Sequence, residues 1–104
     1  MDGPFTGVNG GAIMQLAMKA RLPVAYSNRH LIADGCMISY APDAREMFRR
    51  AAVYVDKILR GAKPGDLPIE QASNFVLVVN QKVAQALGLK LPQSLLVRAD
   101  EVIR

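Results

Sequence analysis

Two stretches decide how this chain reads: DAREMFRRAAVYVDKILRG (Asp43–Gly61) and FVLVV (Phe75–Val79). In the first, Phe48, Ala51, Ala52, Val55, Ile58 and Leu59 recur at three- and four-residue spacing, which winds them onto one broad apolar face. Asp43 precedes Glu46 by three residues, a capping box with Asp in the Ser/Thr place. Lys57 and Arg60 fall in the last turn, where the helix dipole favours cations, and Gly61 can end the helix in the left-handed conformation. The spacing predicts a helix over 44–60. The second stretch is apolar without alternation, as in a strand covered on both faces of a parallel sheet.

Working outward, Ile13, Leu16, Ala17 and Ala20 predict a helix between Asn9 and Arg21, stopped by Pro23. Pro-Val-Ala-Tyr (23–26) is a short strand. Asn28 can cap a brief helix reaching Ala33, with Gly35 beyond it, and Cys36–Tyr40 is a second strand. After the long helix, residues 61–74 form an irregular connector. Asn80 then caps a helix through Leu87 that Gly88 ends; 93–98 is a further helical stretch and 101–103 a final strand. This alternation argues for the α/β class, with a mostly parallel sheet and flanking helices.

Size and composition narrow the function. A chain of 104 residues, 51% of them apolar, supports one folded domain at most. The formal charge of +4 comes from basic residues scattered among acids. No basic cluster interleaved with aromatics appears, so a solvated surface is expected and no nucleic-acid partner. Cys36 is the sole cysteine, which excludes an internal disulfide. Met-Asp-Gly-Pro-Phe at the start has neither the basic start nor the apolar run of a signal peptide. No apolar run approaches the roughly 20 residues that span a bilayer. Either the protein stays in the cytoplasm or an export signal lies elsewhere.

Catalytic chemistry finds little support. His30 is the only histidine and Cys36 the only soft ligand near it, too few donors for a metal site. The same pair lacks an orienting group for nucleophilic catalysis, and a thiol inside an apolar strand is inert. Val8-Asn9-Gly10-Gly11 opens a helix but lacks the third glycine and the Lys-Ser/Thr pair of a phosphate loop, so a loose lead-in loop is expected. No Asp-Asp pair follows a strand, which excludes a phospho-acceptor receiver. The expectation is a non-enzyme without cofactor or metal. Position offers more: ligands of open α/β sheets bind outside the carboxyl ends of parallel strands. Tyr26-Ser27 ends the first strand, Ser39-Tyr40 the second, and Asp2 to Asn9 leads into the first helix. Tyr26 and Tyr40 can stack on or hydrogen-bond a small solute, with Ser27, Asn28, Arg29 and Ser39 as orienting polar groups.

Three segments carry a resemblance to a known family. Phe48–Gln71 (FRRAAVYVDKILRGAKPGDLPIEQ) and Ala86–Ile103 (ALGLKLPQSLLVRADEVI) resemble the C-terminal part of ABC-transporter substrate-binding proteins of the TrpX-like group. Ala33–Asp43 (ADGCMISYAPD) resembles a stretch that this family writes with Gly-Gly-Leu-Met-Ser-Tyr-Gly, and Cys36 and Ala41 replace its glycines.

The resemblance implies a partial type I periplasmic binding-protein fold, two α/β lobes closing on a solute. Residues 1–35 and 75–104 would belong to the C-terminal lobe, 36–61 to a strand and helix crossing to the other lobe, and 62–74 to a connector. It also implies a small organic solute, an aromatic amino acid by the family's habit, and an ABC permease as partner. The location it implies is outside the inner membrane, periplasmic or lipid-anchored. Asp2, Tyr26, Ser39 and Tyr40 are the ligand-facing positions it indicates. The apolar face of 44–60 would then lack the lobe it packs on, and a homodimer through that helix is expected. A stand-alone oligomerising domain that binds no solute is the competing reading.

Overall fold

The computed structural model of the chain describes residues 3–104. Its elements run α1 (Pro4–Val8), α2 (Gly10–Lys19), β1 (Ala25–Tyr26), a 3-10 turn (Arg29–Ile32), β2 (Ile38–Pro42) and α3 (Ala44–Leu59). A second 3-10 turn (Pro64–Asp66), β3 (Phe75–Asn80), α4 (Gln81–Ala86), α5 (Gln93–Arg98) and β4 (Glu101–Ile103) follow.

Local chemistry accounts for most of these boundaries. The Asp43 carboxylate accepts the backbone N–H groups of Arg45 at 3.0 Å and Glu46 at 3.4 Å, which starts α3. The reciprocal arm of the expected capping box is spent elsewhere, because Glu46 pairs with Arg49 at 3.4 Å. Asn80 caps α4 through Val83 N–H at 3.3 Å. Gly61 and Gly88 both have positive φ, and they turn the chain out of α3 and α4 in the left-handed region.

Residues 4–8, expected to belong to a loose lead-in, instead form the helical turn α1. Pro4 opens it with a pre-set φ, and Thr6 closes it onto Gly3 by accepting the Gly3 N–H at 2.9 Å. Gly10 is not loose either. It is buried, and a Cβ there would stand 2.7 Å from a terminal methyl of Leu31. The glycine lets α2 lie against the 3-10 turn that carries Leu31. Gly10→Ala is expected to cost about 1–3 kcal/mol by overpacking, read as a lower midpoint in urea. An unchanged midpoint would mean that Leu31 has room to give way.

The four strands form one sheet in the order β1-β2-β3-β4. β1 runs parallel to β2, with Ala25 opposite Ile38 and Tyr26 opposite Ser39. β3 runs parallel to β4, with Val78, Val79 and Asn80 opposite Glu101, Val102 and Ile103. The central pairing differs. Asp43 N–H donates to the Asn74 carbonyl at 2.8 Å, and Asn80 N–H to the Met37 carbonyl at 2.7 Å. Pairing thus advances along one strand while it retreats along the other, so β2 and β3 are antiparallel. The sheet is α/β and mostly parallel, as expected, with an antiparallel junction at its centre.

Chain contacts separate two compact units, one comprising residues up to Ala41 with Val76–Arg104, the other Pro42–Phe75. The first holds the core: Met14, Leu31, Ile32, Cys36 and Val78 cluster, with Ile13, Val24, Tyr26, Val76 and Ile103 packed against them. The second contains no buried residue. Its stability comes from α3 itself and from the segment folded onto it.

Candidate functional site

The parallel register sets Tyr26, the last residue of β1, opposite Ser39, the second residue of β2, so the two are neighbours on one face of the sheet. β2 runs on to Pro42 instead of ending at Tyr40 as expected. Ser39 is only 1% exposed. Tyr26 packs against the core cluster, and its hydroxyl is buried without a hydrogen-bond partner among the described residues. Tyr40, one residue beyond Ser39, projects to the opposite face. It is largely open to solvent. This part of the sheet therefore presents two environments: a closed one built by Tyr26 and Ser39, and an open one at Tyr40. Asp2 lies outside the described residues.

The neighbouring polar groups have structural work. Asn28 accepts the His30 N–H at 3.0 Å and so caps the 3-10 turn. Arg29 pairs with Glu101 at 2.6 Å, joining that turn to β4. Of the orienting groups named from sequence, Ser27 is the exposed one that follows β1 directly.

His30 and Cys36 do not combine into a reactive couple. His30 is exposed, whereas the Cys36 thiol is buried and donates to the Ile38 carbonyl at 3.0 Å and the Val24 carbonyl at 3.5 Å. Burial pushes its pKa up, against the direction nucleophilic chemistry needs. Among the described residues no group of three or more His, Cys, Asp or Glu side chains is placed to hold a metal ion. Among them, too, no helix is long and apolar enough to cross a membrane.

The second unit has a groove of about 800 Å³ between one face of α3 and residues 64–74. Arg50 grips Glu70 through two hydrogen bonds, and the Tyr54 hydroxyl donates to the Pro68 carbonyl. Arg50 and Tyr54, four apart, share a helix face. That spacing was visible in the sequence; Glu70, twenty residues downstream, carried no signal of the pairing. The hydrogen bonds from Arg50 hold the Glu70 carboxyl below its ordinary range.

A depressed carboxylate pKa contributes stability above its unfolded value, about 4.3. That contribution is lost as pH falls through the folded value. Both side chains are substantially exposed, so the effect is local and small. Amide hydrogen exchange at Asp66 and Leu67, measured relative to the intrinsic rate of an unstructured peptide at the same pH, is expected to quicken as pH falls below about 4.3. Glu70→Gln should show the faster rate already at neutral pH, and equal rates for the two proteins would refute the clasp.

On its other side α3 is bare. Phe48, Ala52, Val55 and Leu59 form a stripe along the helix. Phe48 and Leu59 are the most exposed of them.

Residues 6–103 match the family of ABC transporter substrate-binding proteins. Among solved structures, the chain is 28% identical to a conserved domain protein from Vibrio cholerae, with a TM-score of 0.88 over 93% of this chain and 33% of that one. It is 26% identical to an ABC domain from Streptococcus pneumoniae solved in complex with L-Trp, with a TM-score of 0.85 over 94% of this chain and 34% of that one. A ligand-free, open substrate-binding protein with adhesive properties from Clostridium difficile shares the fold, at 16% identity and a TM-score of 0.58 over 95% of this chain and 32% of that one. No curated protein matches the chain. The chain spans about a third of the length of the solved structures it matches.

Proposed function

We propose, from the premise that the chain belongs to the family of ABC transporter substrate-binding proteins, that it contributes one wall of a site that captures a small organic solute without covalent chemistry. The family is one of binding proteins, which agrees with the absence of an activated nucleophile at Cys36. The observation that carries the reading is the match over residues 6–103, joined to the fold shared with the Trp-bound neighbour.

An aromatic amino acid is the solute class we assign, held at the carboxyl end of β1 and the adjoining residues Ser39 and Tyr40 of β2. Tyr40, largely open to solvent, offers a stacking face on one side of β2, and Tyr26 at the carboxyl end of β1 lies beside Ser39 on the other. Asp2 would face the same solute. Delivery to an ABC permease and a location outside the inner membrane, periplasmic or lipid-anchored, complete the proposal. The remaining walls of the site would correspond to parts of the relatives that this chain does not span.

Calorimetric titration with L-tryptophan, L-phenylalanine and L-leucine tests the assignment. Heat with the aromatic pair and none with leucine is expected. Equal heats would remove the aromatic preference, and no heat with any of them would count against solute capture by this chain.

The bare stripe of Phe48, Val55 and Leu59 favours a second reading, a homodimer through α3 with no solute site. Sedimentation equilibrium separates the two. A concentration-independent monomer removes the dimer, and a tight dimer that gives no heat with any amino acid removes the solute site.

A further inference from the structure

The hydroxyl of Tyr26 makes no hydrogen bond with any of the described residues. The ring packs against the cluster of Met14, Leu31, Ile32, Cys36 and Val78, an apolar surrounding that phenylalanine would fill equally well. The oxygen that distinguishes the two residues is shut away from solvent and has no hydrogen-bond partner among the described residues. Buried hydroxyls in folded proteins are nearly always partnered, because an unmade hydrogen bond leaves the full cost of desolvation standing. Tyr26 is also the last residue of β1, beside Ser39 of the parallel strand β2, and the carboxyl ends of parallel strands are where open α/β sheets take their ligands.

We propose that the Tyr26 hydroxyl is a specificity element, kept unpaired in the empty chain at a cost to folding and partnered by a polar atom of the solute on binding. The inference rests on the solute-binding reading above and adds to it a requirement on the ligand. The solute must bring a hydrogen-bonding group to Tyr26, and an apolar isostere must be rejected. A site that presents a buried polar group discriminates strongly against analogues that leave that group unpaired. Because the oxygen is closed to solvent, the Tyr26 ring or the groups over it must shift for the contact to form.

The test pairs a folding measurement with a binding measurement on the 104-residue chain and its Tyr26→Phe variant. Without solute, Tyr26→Phe should raise the thermal midpoint by several degrees, on the order of 4–8 °C for a domain of this size. With L-tryptophan as the probe, the variant should bind about tenfold or more weakly by calorimetry. A lowered midpoint would overturn the proposal, since the hydroxyl would then be serving the fold. A raised midpoint with unchanged L-tryptophan affinity would overturn it as well, while leaving the solute-binding reading intact. If the unaltered chain gives no heat with L-tryptophan, the solute-binding reading fails for this ligand, and the proposal falls with it.

Discussion

Asn80→Leu should lower the stability of the chain by about 2–4 kcal/mol, although leucine has the same branched skeleton. Asn80 is buried, 7% exposed, at the joint between β3 and α4. Its side-chain nitrogen donates to the Ile32 carbonyl at 3.1 Å, forty-eight residues away in sequence, and its oxygen accepts the Val83 N–H at 3.3 Å. Leucine keeps the branched skeleton, adds bulk at a buried position and removes both bonds. The Ile32 carbonyl and the first turn of α4 are then left with desolvated, unpaired groups, and that penalty exceeds the worth of the bonds themselves. The backbone bond from Asn80 N–H to Met37 survives the change, so the sheet stays paired while the helix loosens. Urea denaturation followed by far-ultraviolet circular dichroism measures the loss. Asn80→Asp separates the two contributions: the carboxylate can still cap Val83 but cannot donate to Ile32 until it is protonated. That variant should therefore recover part of its stability on acidification. A loss below about 1 kcal/mol for Asn80→Leu would mean that water takes over both roles.

Asn80 also marks where sequence reading works and where it stops. Its role as the cap of α4 was legible, because an N-cap is a local event set by residues three apart. The same holds for Asp43 before α3, for the glycines at 61 and 88, and for the helix at 93–98. The bond from Asn80 to Ile32 was not legible, because nothing in local spacing says which distant carbonyl a buried amide will meet. Gly10 is the same case. Its glycine content signalled looseness, yet the reason for it is the approach of Leu31, brought there by the path of the chain through β1.

The candidate site divides along that line too. Alternation of strands and helices was enough to set Tyr26 at the carboxyl end of β1 with β2 parallel beside it, but not to show that β2 runs past Ser39 and Tyr40 to Pro42. The antiparallel junction of β2 with β3 was invisible, because the apolar run at 75–79 reads alike whichever way its neighbour points. Equally hidden was the prior commitment of Asn28 to a cap and of Arg29 to Glu101. Polar residues after a strand look available in a sequence, and only the fold shows which are already engaged.

Met14→Ala carries the largest expected loss, about 2–5 kcal/mol. Met14 is 0% exposed and sits in a cluster whose other buried members are Leu31, Ile32, Cys36 and Val78. Truncating it removes most of a side chain from a small core, and the neighbours can close the gap only in part. Gly35, with a positive φ and packed beside Met18 and Met14, fixes the chain on one side of that gap. The sheet fixes it on the other through Val78. Cys36 supplies a direct readout, because it is the only cysteine and its thiol is buried in the same cluster. In the unaltered chain, labelling by a thiol reagent requires that cluster to open. Burial further suppresses the reactive thiolate. Met14→Ala should accelerate labelling by about the factor its stability loss implies, roughly tenfold for each ~1.4 kcal/mol, when opening precedes each reaction in rapid equilibrium. Met14→Leu, which nearly conserves volume, should change both quantities little. Fast labelling of the unaltered chain would mean that Cys36 is reached without opening the core. A lowered midpoint without faster labelling would place the damage outside the cluster that Met14 and Cys36 share.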